Sequence, residues 1–461
     1  MIPIQNVTLY MPTFQAKEEA VVNNYSSSPN KNIVQDKNVS HGADLLSMQY
    51  NVFINKPSKS SVSIKTSDMD FQQYKELGAN AVEDISARAG KKGQFLNWIG
   101  VLPETQLKNI DTLYNMAETA KQGKYTDLAV LGIGGSRHTT EAMMNMLGKS
   151  SNIHFYSGID PKSFSRFMDS IDLDKTQFLV VSKSGKTLET TVAYQNVKKV
   201  LQEKLGREDV SDRFIAMTDI SPEKSNLRRE VESGAIKLSG QVHDDVGGRF
   251  SIFDDATIFT MAYAGVSKDD VKRMLKASLA AQKEFLNSDI NKNDALKLAA
   301  FNVDSRLQGK TKHFVEYFGD DFSGATLWEK QMKNESLKSK ISTDTNIGPG
   351  YLHYNAESDL DDDNNDSFYT FVYVAPQDKS TSSLLNGAMK AYKELHPVNE
   401  IIFNELSPEA IARFIELKHF ETLYTGNMLR QKAGETVDLN KPMPEVIQPN
   451  VEKYKKNVYT K

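Results

Sequence analysis

Three hydroxyls, two lysines and a glycine fall within six residues, Ser182-Lys183-Ser184-Gly185-Lys186-Thr187, between an apolar run and a long helical stretch. A loop that opens into a helix presents backbone N–H groups without intrahelical partners, at the positive end of the helix dipole. A phosphate monoester supplies acceptors for those groups, and Gly185 lets the backbone turn tightly around it. Plain N-capping is the simpler use of such residues. Capping needs one hydroxyl, however, and this loop offers Ser182, Ser184 and Thr187. The spacing is not that of a Walker A loop, which needs Gly-x4-Gly-Lys-Ser/Thr.

Three further groups carry chemistry. Gly132-Ile-Gly-Gly-Ser136 follows an apolar run, so Gly134, Gly135 and Ser136 can bring main-chain N–H groups close to a ligand; a tight strand-to-helix turn is the other use. Arg137 and His138 break the Gly-x-Gly-x-x-Gly spacing, which disfavours a nicotinamide-dependent oxidoreductase. Val246-Gly-Gly-Arg-Phe-Ser251 sets Arg249 after two glycines, suited to an oxyanion or to a surface ion pair. In Trp328-Glu-Lys-Gln-Met-Lys-Asn-Glu335, Gln331 and Glu335 stand four apart and share a helix face with Trp328. A carboxylate beside an aromatic face can act as a general base. The plainer reading is a solvent-facing Glu335 near Lys333 or Lys338.

These residues need a scaffold, and the chain supplies strands alternating with helices. Strands are expected at 128–133, 153–156, 178–182 and 214–217. Helices are expected at 74–87, 105–122, 139–147, 164–171 and 188–205. After a helical middle (269–286, 295–308), strands at 314–317, 368–374 and 400–403 alternate with helices at 325–337, 384–395 and 408–429. Such alternation predicts an α/β fold with mostly parallel sheets flanked by helices. The Ser-, Asn- and Lys-rich residues 1–66 predict a polar, partly disordered arm. The acidic stretch 359–366 predicts a solvated loop.

Composition bounds the rest. The 461 residues carry a formal net charge of −4, 25% charged and 39% hydrophobic residues, and no cysteine. Disulfides, thiolate metal sites and a cysteine nucleophile are excluded. Nothing points to nucleic acid, no apolar run approaches the roughly 20 residues of a membrane span, and no signal peptide is legible at the start. A cytoplasmic protein is the expectation.

Taken together, Gly132–Ser136, Ser182-Lys-Ser-Gly-Lys-Thr-Leu-Glu-Thr190, Val246–Ser251, Gln331-x3-Glu335-Ser336 and Gln448-Pro-x-Val-Glu-x-x-Lys455 resemble the phosphoglucose isomerase family, in that family's order and over roughly residues 70–461. The resemblance implies two sugar-isomerase (SIS) domains, here 67–265 and 266–435, with a C-terminal segment 436–461 carrying Gln448 and Lys455. It implies a homodimer with active sites near the subunit boundary. The implied reaction interconverts glucose 6-phosphate and fructose 6-phosphate through ring opening and a cis-enediolate. By that resemblance Ser182, Lys183, Ser184 and Thr187 bind phosphate. Glu335 is the base, Arg249 stabilises the enediolate and Lys455 assists ring opening. Gln331, Gln448, Gly134, Gly135 and Ser136 line the sugar site. Such a shift oxidises one carbon and reduces its neighbour, so no redox cofactor is expected; with Arg249 supplying positive charge, no metal is expected either.

The chain departs from the family pattern in two places. Glu335-Ser-Leu-Lys-Ser-Lys340 lacks the glycine that usually follows the base. The ring-opening histidine has two alignments. One puts Asn346 in its place; the other, through Ile347-Gly-Pro-Gly-Tyr-Leu-His353, uses His353. His353 is preferred because ring opening needs a group that titrates near neutrality, and asparagine does not. The segment 431–446 is also longer than usual. The competing readings are a sugar-phosphate binder without catalysis, which needs no base, and an isomerase of another sugar phosphate.

Overall fold

The computed structural model describes residues 61–361 and 363–459; residues 1–60 of the stretch read as a polar arm lie outside it. Among the described residues ten strands form two five-stranded sheets: β1 (Val62–Thr66), β2 (Asp127–Leu131), β3 (Ile153–Tyr156), β4 (Thr176–Val181), β5 (Phe214–Thr218), β6 (Leu238–Gln241), β7 (Lys312–Phe318), β8 (Ser342–Gly348), β9 (Ser367–Val374) and β10 (Val398–Phe403). The first sheet runs β3-β2-β4-β5-β6, parallel throughout. The second runs β1-β10-β9-β7-β8, parallel except for the antiparallel β1–β10 pair. Both sheets are flanked by helices, as the alternation predicts.

Interior strands such as β4 and β10 are buried along their whole length, which is why they read as apolar runs. β1, β6 and β8 escape a sequence reading because they are sheet edges with polar residues. β1 lies inside the stretch read as an arm, so the second sheet takes one edge from outside residues 266–435. The acidic stretch is not solvated throughout. Asp359 ends the Gly350–Asp359 helix, is buried, and accepts from the Tyr392 hydroxyl at 2.8 Å.

The helix Pro408–Lys432 holds the molecule together. Ser407 caps it, accepting from Ala410 N, and Pro408 fits its first turn, where an N–H has no helical partner. Beyond that turn it is buried almost throughout and packs on the helices Lys268–Phe285 and Asp294–Leu307. It also meets the helix Ser323–Leu337 through a buried square of charges. Lys333 lies 3.1 Å from Glu329 and 2.6 Å from Glu421, and Lys418 lies 2.6 Å from each of the same two carboxylates. Each charge has two opposite neighbours, which offsets the cost of its desolvation. The helix that carries Gln331 and Glu335 is thereby fixed in the core.

Candidate active site

β2 and β4 are neighbours, and from them the first sheet grows outward in opposite directions. Such a point of reversal leaves a crevice at the carboxyl ends of the strands. The Gly132–Ser136 turn leaves β2 there and the Ser182–Thr187 loop leaves β4.

The hydroxyl-rich loop is held by its own side chains. Ser182 Oγ accepts from Gly185 N at 3.1 Å and lies 3.3 Å from Thr187 Oγ1; Ser184 Oγ accepts from Lys186 N at 3.2 Å. Gly185 has φ +62°, and a Cβ there would lie 2.3 Å from Leu227 N, so glycine is required. Thr187 is the N-cap of the helix Leu188–Leu205 and makes no side-chain capping bond, so plain capping does not account for it. Lys183 reaches Asp244 at 2.9 Å. Thr190, outside the predicted set, has a buried hydroxyl with no hydrogen-bond partner and faces a cavity of about 170 Å³ lined also by Ser182, Gly185 and Glu230. Glu230 is engaged by the Tyr194 hydroxyl at 3.2 Å.

Across the crevice, three side chains converge on Glu335. Gln331 Nε2 donates to Glu335 Oε1 at 2.9 Å, Arg249 NH1 donates to Oε2 at 3.1 Å, and the Gln448 amide donates to Oε2 as well. Gly134 packs against Gln331: a Cβ at Gly134 would lie 3.0 Å from Gln331 Nε2. A Cβ at Gly135 would lie 2.2 Å from Gly248 O, so the glycine turn and the Arg249 loop touch backbone to backbone. Trp328 Nε1 donates to Arg249 O at 3.0 Å.

Arg249 is no surface residue. It is 1% exposed, donating also to Ser336 Oγ at 3.0 Å and Glu445 O at 2.6 Å. Burial pushes its guanidinium down to about 10 against the pull of Glu335, so it stays charged at neutral pH. Nor does Glu335 pair with a lysine. Lys333 is buried in the charge square, Lys338 donates to Pro444 O, and the Glu335 side chain is only 21% exposed.

Two predicted residues stand apart. Lys455 pairs with Glu452 at 2.9 Å on the exposed face of the helix Pro449–Tyr459, which begins directly after Gln448. His353 is exposed on the helix Gly350–Asp359, with no hydrogen bond to the Glu335 cluster. Asn346 lies buried in β8 and donates to Glu316 Oε1 at 2.7 Å. His138, which the sequence offered only as a break in a glycine motif, meets Gln331 Oε1 at 3.0 Å through Nδ1.

Among the described residues, His243, Asp254 and Asp255 bring possible metal-ligand atoms within 4.8 Å of one another. Their atoms are already engaged. His243 Nδ1 bonds Asp254, while Asp255 accepts from Gln106 Nε2 at 2.7 Å and Gln241 N at 2.9 Å.

Comparison with known proteins finds relatives over most of the chain. Residues 105–349 match the family model for phosphoglucose isomerase. A glucose-6-phosphate isomerase of Clostridium novyi (strain NT) is 25% identical over 434 residues, covering 85% of this chain and 92% of that protein. One of Clostridioides difficile (strain 630) is 28% identical over 263 residues, covering 54% of this chain and 57% of the other. The crystal structure of a glucose-6-phosphate isomerase from Chlamydia trachomatis D/UW-3/Cx shares the fold at a TM-score of 0.71 and 17% identity, over 87% of this chain and 88% of that one. A hypothetical protein of Thermus thermophilus does so at 0.71 and 21%, over 84% and 95%. With more than half of its length matched by the family model, the chain belongs to the phosphoglucose isomerase family.

Proposed function

We propose that this chain interconverts D-glucose 6-phosphate and D-fructose 6-phosphate through an open-chain sugar and a cis-enediolate, with Glu335 as the base. The observation that carries this is the convergence of Arg249, Gln331 and Gln448 on one carboxylate beside the Gly134–Gly135 turn. A carbon-bound proton is weakly acidic. Its removal needs a directed carboxylate together with fixed positive charge for the oxygen that becomes negative. Glu335 takes the proton from carbon 2 and returns it to carbon 1, and Arg249 faces the enediolate oxygen. Ser182, Lys183, Ser184 and Thr187, with Thr190, hold the phosphate, while Gly134, Gly135, Ser136, Gln331 and Gln448 line the sugar. A sugar-phosphate binder without catalysis would need the hydroxyl loop but not three donors trained on a carboxylate.

Ring opening falls to His353, with Lys455 assisting. His353 is exposed, and the family resemblance implies a homodimer, so His353 acts on the site of a second copy. Lys455 lies about 9 Å along its helix from Pro449, given a rise of about 1.5 Å per residue, and must leave Glu452 to take part.

The test is a coupled assay of fructose 6-phosphate conversion with a chelator present. Wild-type protein is expected to turn over, and Glu335→Gln to lose at least about a thousandfold in kcat while still binding the phosphosugar. Near-normal turnover by Glu335→Gln would remove the base assignment.

A further inference from the structure

The Glu335 carboxylate is held unevenly. Oε2 receives both Arg249 NH1 and the Gln448 amide, whereas Oε1 receives Gln331 Nε2 alone. Each carboxylate oxygen offers about two lone-pair sites, so Oε2 is filled and Oε1 keeps one open. The orientation of Gln331 is fixed in turn. A carboxylate accepts and cannot donate, so the Gln331 amide must give it Nε2 and turn its carbonyl toward His138 Nδ1. That carbonyl also only accepts, so His138 donates from Nδ1. Burial lowers the His138 imidazole below its ordinary value, which leaves it neutral at pH 7 with its lone pair on Nε2. Arg137 opposes its protonation and Glu141 and Glu335 favour it, but Arg137 and Glu141 pair with each other at 2.8 Å.

The backbone supports the same chain of contacts. Gly134 N-caps the helix Gly135–Met146, and His138 N donates to Gly134 O at 2.8 Å. A Cβ at Gly134 would press on Gln331 Nε2. One turn therefore places the imidazole and makes room for the amide.

On the reading of Glu335 as the base, we propose that His138 is a positioning residue: it locks the Gln331 amide so that Glu335 Oε1 is the oxygen that takes the proton. Without the lock the amide swings, Oε1 loses its donor, and the carboxylate becomes harder to ionise and worse aimed.

The test follows Glu335 by NMR titration of protein labelled with carboxyl-13C glutamate, its signal identified by loss in Glu335→Gln. In His138→Leu the Glu335 pKa is expected to rise by about one unit, and kcat to fall about tenfold with KM for fructose 6-phosphate within about twofold. His138→Asn, which returns an N–H donor, is expected to recover most of both. Gln331→Leu cuts the same link from the other side and must move the Glu335 titration in the same direction. An unmoved titration in both His138→Leu and Gln331→Leu overturns the proposal and leaves the base assignment standing. A loss of activity that His138→Asn fails to restore, with the titration unmoved, overturns it too. Should wild-type protein not isomerise, the isomerase reading fails, while the titration still decides whether His138 governs Glu335.

Discussion

A base that removes a proton from carbon needs an open lone pair and a fixed direction. On the proposed reading Glu335 has both, because Gln331 donates to it from one turn earlier on its own helix and Arg249 and Gln448 donate from distant parts of the chain. Glu335 and Arg249 were legible in the sequence, because their spacings carry the family's pattern. Their mutual ion pair was not, since nothing in a spacing says that residues 86 positions apart touch. His138 was illegible for another reason: its partner is a side-chain amide on a different helix, and it stands in no motif. Of the residues to which the resemblance gives site roles, Arg249 and Glu335 meet, Ser184 sits in the loop leaving β4, and Lys455 pairs with Glu452. For Lys183, half in solvent and paired with Asp244, a phosphate is a stronger partner than the carboxylate it must leave. Lys183→Ala is expected to raise KM for fructose 6-phosphate about tenfold with kcat little changed; steady-state kinetics at fixed ionic strength decide this, and an unchanged KM would remove Lys183 from the phosphate site.

At the scale of elements, the site depends on close approaches. A Cβ on Gly324 would lie 2.6 Å from the Glu141 backbone, so only glycine lets the helix carrying Glu335 approach the helix carrying His138 this closely at that point. The glycine absent after Glu335 in this chain is replaced in function by Lys338, which turns the backbone at φ 55° to close that helix. The buried interior strands were legible as apolar runs, whereas the edges β1, β6 and β8 were not, because they bury little and pair on one side only. β7 and β8 also carry a buried Glu316–Asn346 pair in direct register, and burial pushes the Glu316 carboxyl up to about 7. Folded protein then holds that proton while unfolded chain releases it near pH 4.5, so the stabilising effect is full below that value and is lost as pH rises toward 7. The loss amounts to about 3 kcal/mol. Glu316→Gln is expected to be the more stable protein at pH 8 and no more stable at pH 4; denaturant unfolding at both values checks this, and an equal effect at the two would contradict it.

For the whole molecule, one chain pairs Glu335 with Arg249 and carries the hydroxyl loop, while His353 is exposed and makes no hydrogen bond to any of them. Two copies related by a twofold axis could each lend that histidine to the other. Co-expressed Glu335→Gln and His353→Gln chains are then expected to recover roughly a quarter of wild-type activity, because half of the dimers are mixed and each mixed dimer has one intact site. No recovery, with both variants dimeric by light scattering, would place the ring-opening group within a single chain.

The most direct measurement of the central claim is hydrogen exchange at the sugar itself. Fructose 6-phosphate incubated in deuterium oxide with wild-type protein should gain deuterium on carbon 1, and the glucose 6-phosphate formed should carry it on carbon 2. Glu335→Gln should bind the same sugar and exchange nothing. Exchange by the variant at the wild-type rate would mean that some other group moves the proton.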